Sequence, residues 1–185
     1  MKRLVPVVLL ALCFAVVVSS FAQGQKFALR VDAGALGAYK DKAGNDWQPD
    51  QYYSKGKGYG FEGGDTVDRG AETKIEGTDD PRLYQTERYS MQAFTAEVPN
   101  GTYTVRLHFA ETYSDITFDG PRVFDVKIQG KEALTDWDVY KTTGGLNKAV
   151  VKEFKDIAVA DGLLKIDFVT KQQSPEINAV EVLGQ

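Results

Sequence analysis

Apolar and polar positions alternate with a period of two over much of the second half of the chain. In residues 102–111 (TYTVRLHFAE), Val105, Leu107 and Phe109 fall on one side, and Thr104, Arg106 and His108 on the other. In 122–128 (RVFDVKI), Phe124, Val126 and Ile128 oppose Val123, Asp125 and Lys127. In 163–169 (LLKIDFV), Leu164, Ile166 and Phe168 oppose Lys165 and Asp167, and 177–183 (INAVEVL) is a further apolar run. Side chains on a strand point alternately to its two faces, so each stretch predicts a strand with one face buried. Asn100-Gly101 and Asp161-Gly162 precede two of these strands, and Gln129-Gly130 follows a third. Such pairs tolerate the positive φ of a tight hairpin, with Gln the weaker partner. No stretch shows a sustained helical stripe with caps. The pattern predicts an all-β fold, a β-sandwich of jelly-roll type with long ligand-binding loops.

Residues 33–81 break the pattern. They are rich in Gly, Asp, Lys and Tyr, and hold Trp47, Tyr52, Tyr53, Tyr59 and Phe61. A disordered segment is poor in aromatics, so this one is expected to form long ordered loops, where binding residues collect on a rigid scaffold.

The N-terminus follows a different rule. Lys2 and Arg3 precede an apolar run over 4–18, and Ser20-Phe21-Ala22 places small residues where a signal peptidase reads. The run is shorter than the ~20 residues a membrane-spanning helix needs. A signal peptide over 1–22 is expected, with one domain over 23–185 that is secreted or periplasmic and free of the membrane after cleavage. Removing 22 of 185 residues leaves 163, enough for a single core. Cys13, the single cysteine, leaves with the signal. The remaining domain then has no disulfide, thiol nucleophile or thiolate metal site. Losing Lys2 and Arg3 takes the net charge from −4 to about −6 with His108 neutral. An acidic domain without a basic cluster is a poor partner for nucleic acid, and neutral ligands remain open.

Sugars are held by aromatic rings stacked on the C–H face of a pyranose and by polar side chains that take up its hydroxyls. The loop segment offers both kinds of group, although its aromatics suit packing equally well. A glycosidase needs two carboxylates roughly 5–10 Å apart. Glu87 and Glu111 are the pair best placed for that, against the plainer reading of hydrogen-bonded surface acids. His108 stands mid-strand as a structural or exposed imidazole, and a lone histidine builds no multi-histidine metal site. Residues 41–50 (DKAGNDWQPD) lack the spacing and terminal Glu of an EF-hand. Residues 56–64 (GKGYGFEGG) neither follow a strand nor open a helix as a phosphate loop must. No cofactor and no metal is expected.

A set of motifs then narrows the reading. RVDAG (30–34), DKAGNDWQPD (41–50) and the glycine-rich loop around Tyr59 are followed by LYQTERY (83–89), VPNGTYTVRLHFAETY (98–113) and RVFDVKIQGK (122–131). DWDVY (136–140), Glu153-Phe154 and SPEINAVEV (174–182) complete the series. In that order and spacing they resemble the malectin domain across nearly all of the chain after residue 22. The resemblance implies a β-sandwich that binds glucose-containing oligosaccharide or polysaccharide without cleaving it. It implies carbohydrate-binding roles for Tyr59 (before Gly60), Tyr89 (after Thr86-Glu87-Arg88) and Tyr113 (two residues past Phe109-Ala110-Glu111). Glu87 and Arg88 would brace the loop that holds Tyr89. Ser114 stands where the family often has an aromatic, and Gln173 where it has an aspartate. Gln173 is assigned to a sugar hydroxyl, and Trp47 to a replacement stacking face. A glycan hydrolase and a protein-interaction module on the same sandwich are the alternatives.

Overall fold

The computed structural model describes residues 26–185, so the expected signal peptide lies outside the described residues. The chain runs β1 (Ala28–Asp32), β2 (Tyr39–Lys40), β3 (Asp46–Trp47), β4 (Tyr59–Asp68), a 3-10 turn (Pro81–Tyr84), β5 (Thr86–Glu97) and β6 (Gly101–Phe109). It continues through β7 (Val123–Ile128), β8 (Lys131–Trp137), α1 (Val139–Thr143), β9 (Val150–Val159), β10 (Leu163–Gln172), β11 (Glu176–Ile177) and β12 (Ala179–Gly184). One sheet has the order β1-β12-β6-β9. The other runs β5-β10-β7-β8, with β4 added outside β5 and β11 beside the start of β5. All pairings within these sheets are antiparallel. Successive strands repeatedly cross from one sheet to the other, which makes the sandwich a jelly roll.

The inner faces are the ones the alternation assigns. Val105, Leu107 and Phe109 meet Phe124, Val126 and Ile128, and Leu164, Ile166 and Phe168, in one buried core. A smaller cluster lies under the loops: Trp47, Ile75, Leu83 and Tyr84 pack with Ala110 and Ala179.

Two expectations about connections change. Asn100-Gly101 and Asp161-Gly162 carry the chain between sheets, from β5 to β6 and from β9 to β10, so they are sandwich corners rather than hairpins. Asn100 Oδ1 accepts from the Gly162 N–H at 2.9 Å and joins the two corners. Gln129-Gly130 is the true hairpin turn, with φ of 51° and 72°, as a type I′ turn between β7 and β8 requires. Helix is confined to short pieces. Asp138 caps α1 by accepting from the Lys141 N–H at 2.9 Å, and Gly144 ends it at φ 72°.

The segment expected to be all loop contains a full strand. β4 pairs with β5 along nearly all its length, yet its alternation is hidden by Gly60, Gly63 and Gly64. Gly64 has φ 77°, and a Cβ there would lie 2.3 Å from the Tyr89 carbonyl oxygen. Glycine is therefore what lets the two backbones close, at the cost of the sequence pattern. At one pole of the sandwich β4 ends, β5 begins, β6 ends, β7 begins and β10 ends.

Candidate functional site

A cleft of about 310 Å³ opens at that pole. Val67 and Arg69 come from β4 and the residue just beyond it, and Glu87 and Tyr89 from the start of β5. Tyr113 and Arg122 come from the β6–β7 connection, and Gln173 and Ser174 from the turn after β10. Glu87 and Tyr89 are two apart on one strand and so share a face. Thr86 and Arg88, on the opposite face, bind inward. Thr86 Oγ1 donates to Asp32 at 2.8 Å, and Arg88 pairs with Asp50 at 2.7 Å. Asp50 also accepts from the Gly34 N–H at 2.7 Å, and Arg88 Nη1 donates to the Gly63 carbonyl at 2.6 Å. Arg88 is thus the brace expected of it, although it steadies loops around a strand, since Tyr89 lies within β5.

The floor of the cleft is charged and sealed. Glu87 pairs with Arg69 at 2.8 Å and accepts from the Thr112 hydroxyl. Glu111 pairs with Arg122 at 2.7 Å and accepts from the Tyr113 N–H at 3.0 Å, while Arg122 Nη1 donates to the Ser174 carbonyl. Glu176 lies opposite Tyr89 in the β11–β5 pairing, is fully buried, and neither of its oxygens has a hydrogen-bond partner among the described residues. Burial raises it well above the usual carboxylate range, Glu111 and Glu87 push the same way, and Arg122 and Arg69 oppose. Burial also raises Glu111, against the pull of Arg122. Of the three acids, Glu87 and Glu111 each face a guanidinium, so these two pairs balance within the floor.

Glu87 and Glu111 are therefore not surface acids. They are 1% and 0% exposed, and each is spent on an arginine. A hydrolytic pair must reach a glycosidic oxygen and an anomeric carbon. The raised acids Glu111 and Glu176 lie wholly beneath the surface.

Three of the five sequence-assigned sugar residues meet in the cleft: Tyr89, Tyr113 and Gln173. Both tyrosines are half-buried, and Gln173 is exposed at φ 49°. Arg69 lies over the Tyr113 ring at 5.8 Å, and the Tyr113 hydroxyl donates to Asp115 at 2.8 Å. Tyr59 is elsewhere. It pairs with Ala96, whereas Tyr89 pairs with Asp65, six residues along β4 and so about 20 Å away. Its hydroxyl donates to the Pro49 carbonyl at 2.9 Å. Val67 stands in the wall instead. Trp47 also departs from its assigned role. It is 3% exposed, edge-on to His108 at 5.5 Å, with Nε1 donating to Asp41 at 3.0 Å. A ring packed on all sides offers no face to a sugar. His108 is a structural imidazole, held between the Tyr84 hydroxyl at 2.9 Å and Glu181 at 3.0 Å. The Asp41 carboxylate is occupied by Asn45 and Trp47. Sequence reasoning missed Arg69, Arg122 and Glu176 as parts of the site. Only spatial closeness of distant segments distinguishes them from other charged residues.

The Malectin domain family model matches residues 27–184. Among curated relatives, mouse malectin is 30% identical over 121 residues, which is 57% of this chain and 41% of that protein. Receptor-like protein 4 of Arabidopsis thaliana is 29% identical over 155 residues, 77% of this chain and 24% of its own length. A kinesin-like protein of rice is 32% identical over 63% of this chain and 11% of its own. The chain thus spans well under half of each of these relatives. Among solved structures, a Bacteroides uniformis β-glucuronidase superposes with a TM-score of 0.76 at 24% identity, over 86% of this chain and 18% of that one. The ANXUR2 extracellular domain from Arabidopsis thaliana gives 0.69 at 18% identity, over 86% of this chain and 48% of that one. At such identities these two structures speak for the fold. Among the described residues, no helix is long and apolar enough to cross a membrane.

Proposed function

The chain belongs to the malectin-domain family, a family of carbohydrate-binding modules, and from that premise we propose that it is an exported, non-catalytic module for neutral, glucose-containing oligosaccharides. The ligand lies in the cleft between Tyr89 and Tyr113. One observation carries the reading: two half-exposed tyrosines from separate elements face one cleft whose charged floor is internally balanced. The rings supply stacking faces, and Gln173 supplies a neutral donor and acceptor for hydroxyls. A floor whose ion pairs are already complete has no spare charge to give an ionic ligand. The same pairs hold the walls in place, because Arg122 ties the β6–β7 connection to the turn carrying Ser174.

Titration calorimetry with linear glucose oligosaccharides tests the reading. Binding should be weak, roughly micromolar to millimolar, and nearly independent of salt. Tyr89→Ala should weaken it by about 1–3 kcal/mol, or roughly 5- to 160-fold in Kd, by analogy with base–aromatic stacking. Its melting point should stay close to that of the parent. Chromatography after prolonged incubation should show no shortened product. Monosaccharide release by the purified parent protein would establish a hydrolase instead.

A further inference from the structure

A second hollow of about 390 Å³ adjoins the cleft, and Val67 lines both. It is bounded by the 34–38 turn, by Thr66 and Asp68 of β4, and by Arg82 and Thr86. The ridge between the hollows is the free edge of β4 at its end. Val67 pairs with Glu87 on the face of the first cleft, whereas Thr66 and Asp68 pair with Arg88 and Thr86 on the opposite face, so a ligand reaching both hollows passes round that edge. On the side of β4 away from β5, Tyr52 forms a bridge with Phe61 and its hydroxyl donates to the Gly64 carbonyl at 2.8 Å. Beyond Gly64, no strand pairs with that side among the described residues. The outward backbone groups of the ridge are therefore open to a ligand.

The second hollow has the amphipathic character that a pyranose requires. Leu36 is 98% exposed at its rim, in a turn otherwise made of glycine and alanine. A lone exposed leucine carries no information by itself. Here it stands beside hydrogen-bonding groups of both kinds. Arg82 spends Nη1 on Asp32 at 3.3 Å and lies over the Tyr39 ring at 5.4 Å, with its other N–H groups directed to no side chain or carbonyl among the described residues. Asp68 uses Oδ1 to accept from the Gly70 N–H at 2.8 Å, which leaves Oδ2 as an acceptor. Thr66 is exposed and adds a hydroxyl. Gly34 fixes the turn above the sheet. A Cβ on it would lie 2.5 Å from the Glu87 carbonyl oxygen, so the turn is seated directly on the strand that also floors the first cleft.

We infer that the 34–38 turn and the end of β4 form a second sugar subsite, so that one glycan chain lies across the β4 ridge with units in both hollows. This rests on the sugar-binding reading of the first cleft. In the second subsite Leu36 packs on a C–H face, Asp68 accepts from hydroxyls and Arg82 donates to them. Length of chain, beyond the unit held by Tyr89 and Tyr113, then becomes part of what is recognised.

The test is calorimetry with linear glucose oligosaccharides from monosaccharide to hexasaccharide, on the parent and on a Leu36→Ala/Asp68→Asn double variant. Both substitutions sit on exposed side chains, and melting curves verify the fold. For the parent, Kd should tighten about tenfold once the ligand is long enough to cross the ridge. The double variant should lose that gain and keep the parent's affinity for the shortest ligand that binds. A parent affinity that does not change with length overturns the second subsite, as does a length gain that survives in the double variant. If no oligosaccharide binds the parent, or if Tyr89→Ala binds as tightly as the parent, the first cleft is not a sugar site and the second falls with it.

Discussion

Asp32 ends β1 beneath Thr86 and Arg82, fully buried. Burial raises its carboxyl from 3.8 to about 7; Thr86 and Arg82 pull it down, and Asp50 and Asp80 push it further up. In the unfolded chain it titrates near 3.8. Between those two values the native state keeps a proton that the unfolded state has released. The stabilisation is therefore complete below the unfolded value and is lost as the pH rises through the native one. From about pH 5 to about pH 8 the loss is about 3 kcal/mol, at 1.36 kcal/mol per pH unit over the interval below the native value. For a domain of this size that is roughly 6–12 °C of melting temperature. Glu111 and Glu176, also raised by burial, change stability in the same direction. Glu181 behaves oppositely: burial raises it, but the bond from His108 and the charges of His108, Arg30 and Arg106 bring it below the ordinary carboxylate range. Its contribution is lost only in stronger acid, as the pH falls through that lowered value. The domain should therefore be most stable in mild acid. Asp32→Asn keeps an acceptor for Thr86 but cannot ionise, so its melting temperature should fall less steeply between the two pH values. Thermal melts of both proteins across that range measure the difference. A parent melting temperature that is flat from about pH 5 to about pH 8, or an Asp32→Asn variant with the full parental slope, would refute the argument.

Trp47→Ala should cost about 3–5 kcal/mol, or roughly 6–20 °C of melting temperature, because it empties a packed site under the loops. The surviving folded fraction should bind oligosaccharide with unchanged affinity, and a loss of binding without a loss of stability would return Trp47 to the site. Mass spectrometry of protein exported by its native host should find Gln23 at the N-terminus, and an intact Met1 in that pool would exclude cleavage after Ala22.

Much of the sandwich was legible because burial on one face forces a period of two. Residues 123–128 alternate in sequence as they do in exposure, and the inner faces of β6, β7 and β10 were assigned correctly. Strand β4 was not legible, because the glycines that allow its close approach to β5 erase the alternation that would announce it. The two corner turns looked like hairpins because a local pair such as Asp161-Gly162 specifies positive φ and not which sheet the chain enters next. Within the site, the motif around Tyr89 led to the cleft. Tyr59 failed because a match to one Tyr-Gly pair says nothing of its register on a strand, and register places it about 20 Å away. Trp47 failed for a related reason: an aromatic in a loop suits a ligand and a satellite core equally, and only its surroundings decide. The Glu176 carboxyl gave no sequence signal, since its burial depends on segments far apart along the chain.

The first and last strands lie side by side, Ala28 against Leu183, and the cleft is at the other pole. Polypeptide attached before β1 or after β12 would leave from the same small patch, facing away from the ligand. The fold thus works as a cassette that can be spliced into a longer chain, tethered at one end or displayed in tandem, with its binding mouth pointing outward each time. A fusion partner at either terminus should leave oligosaccharide affinity untouched.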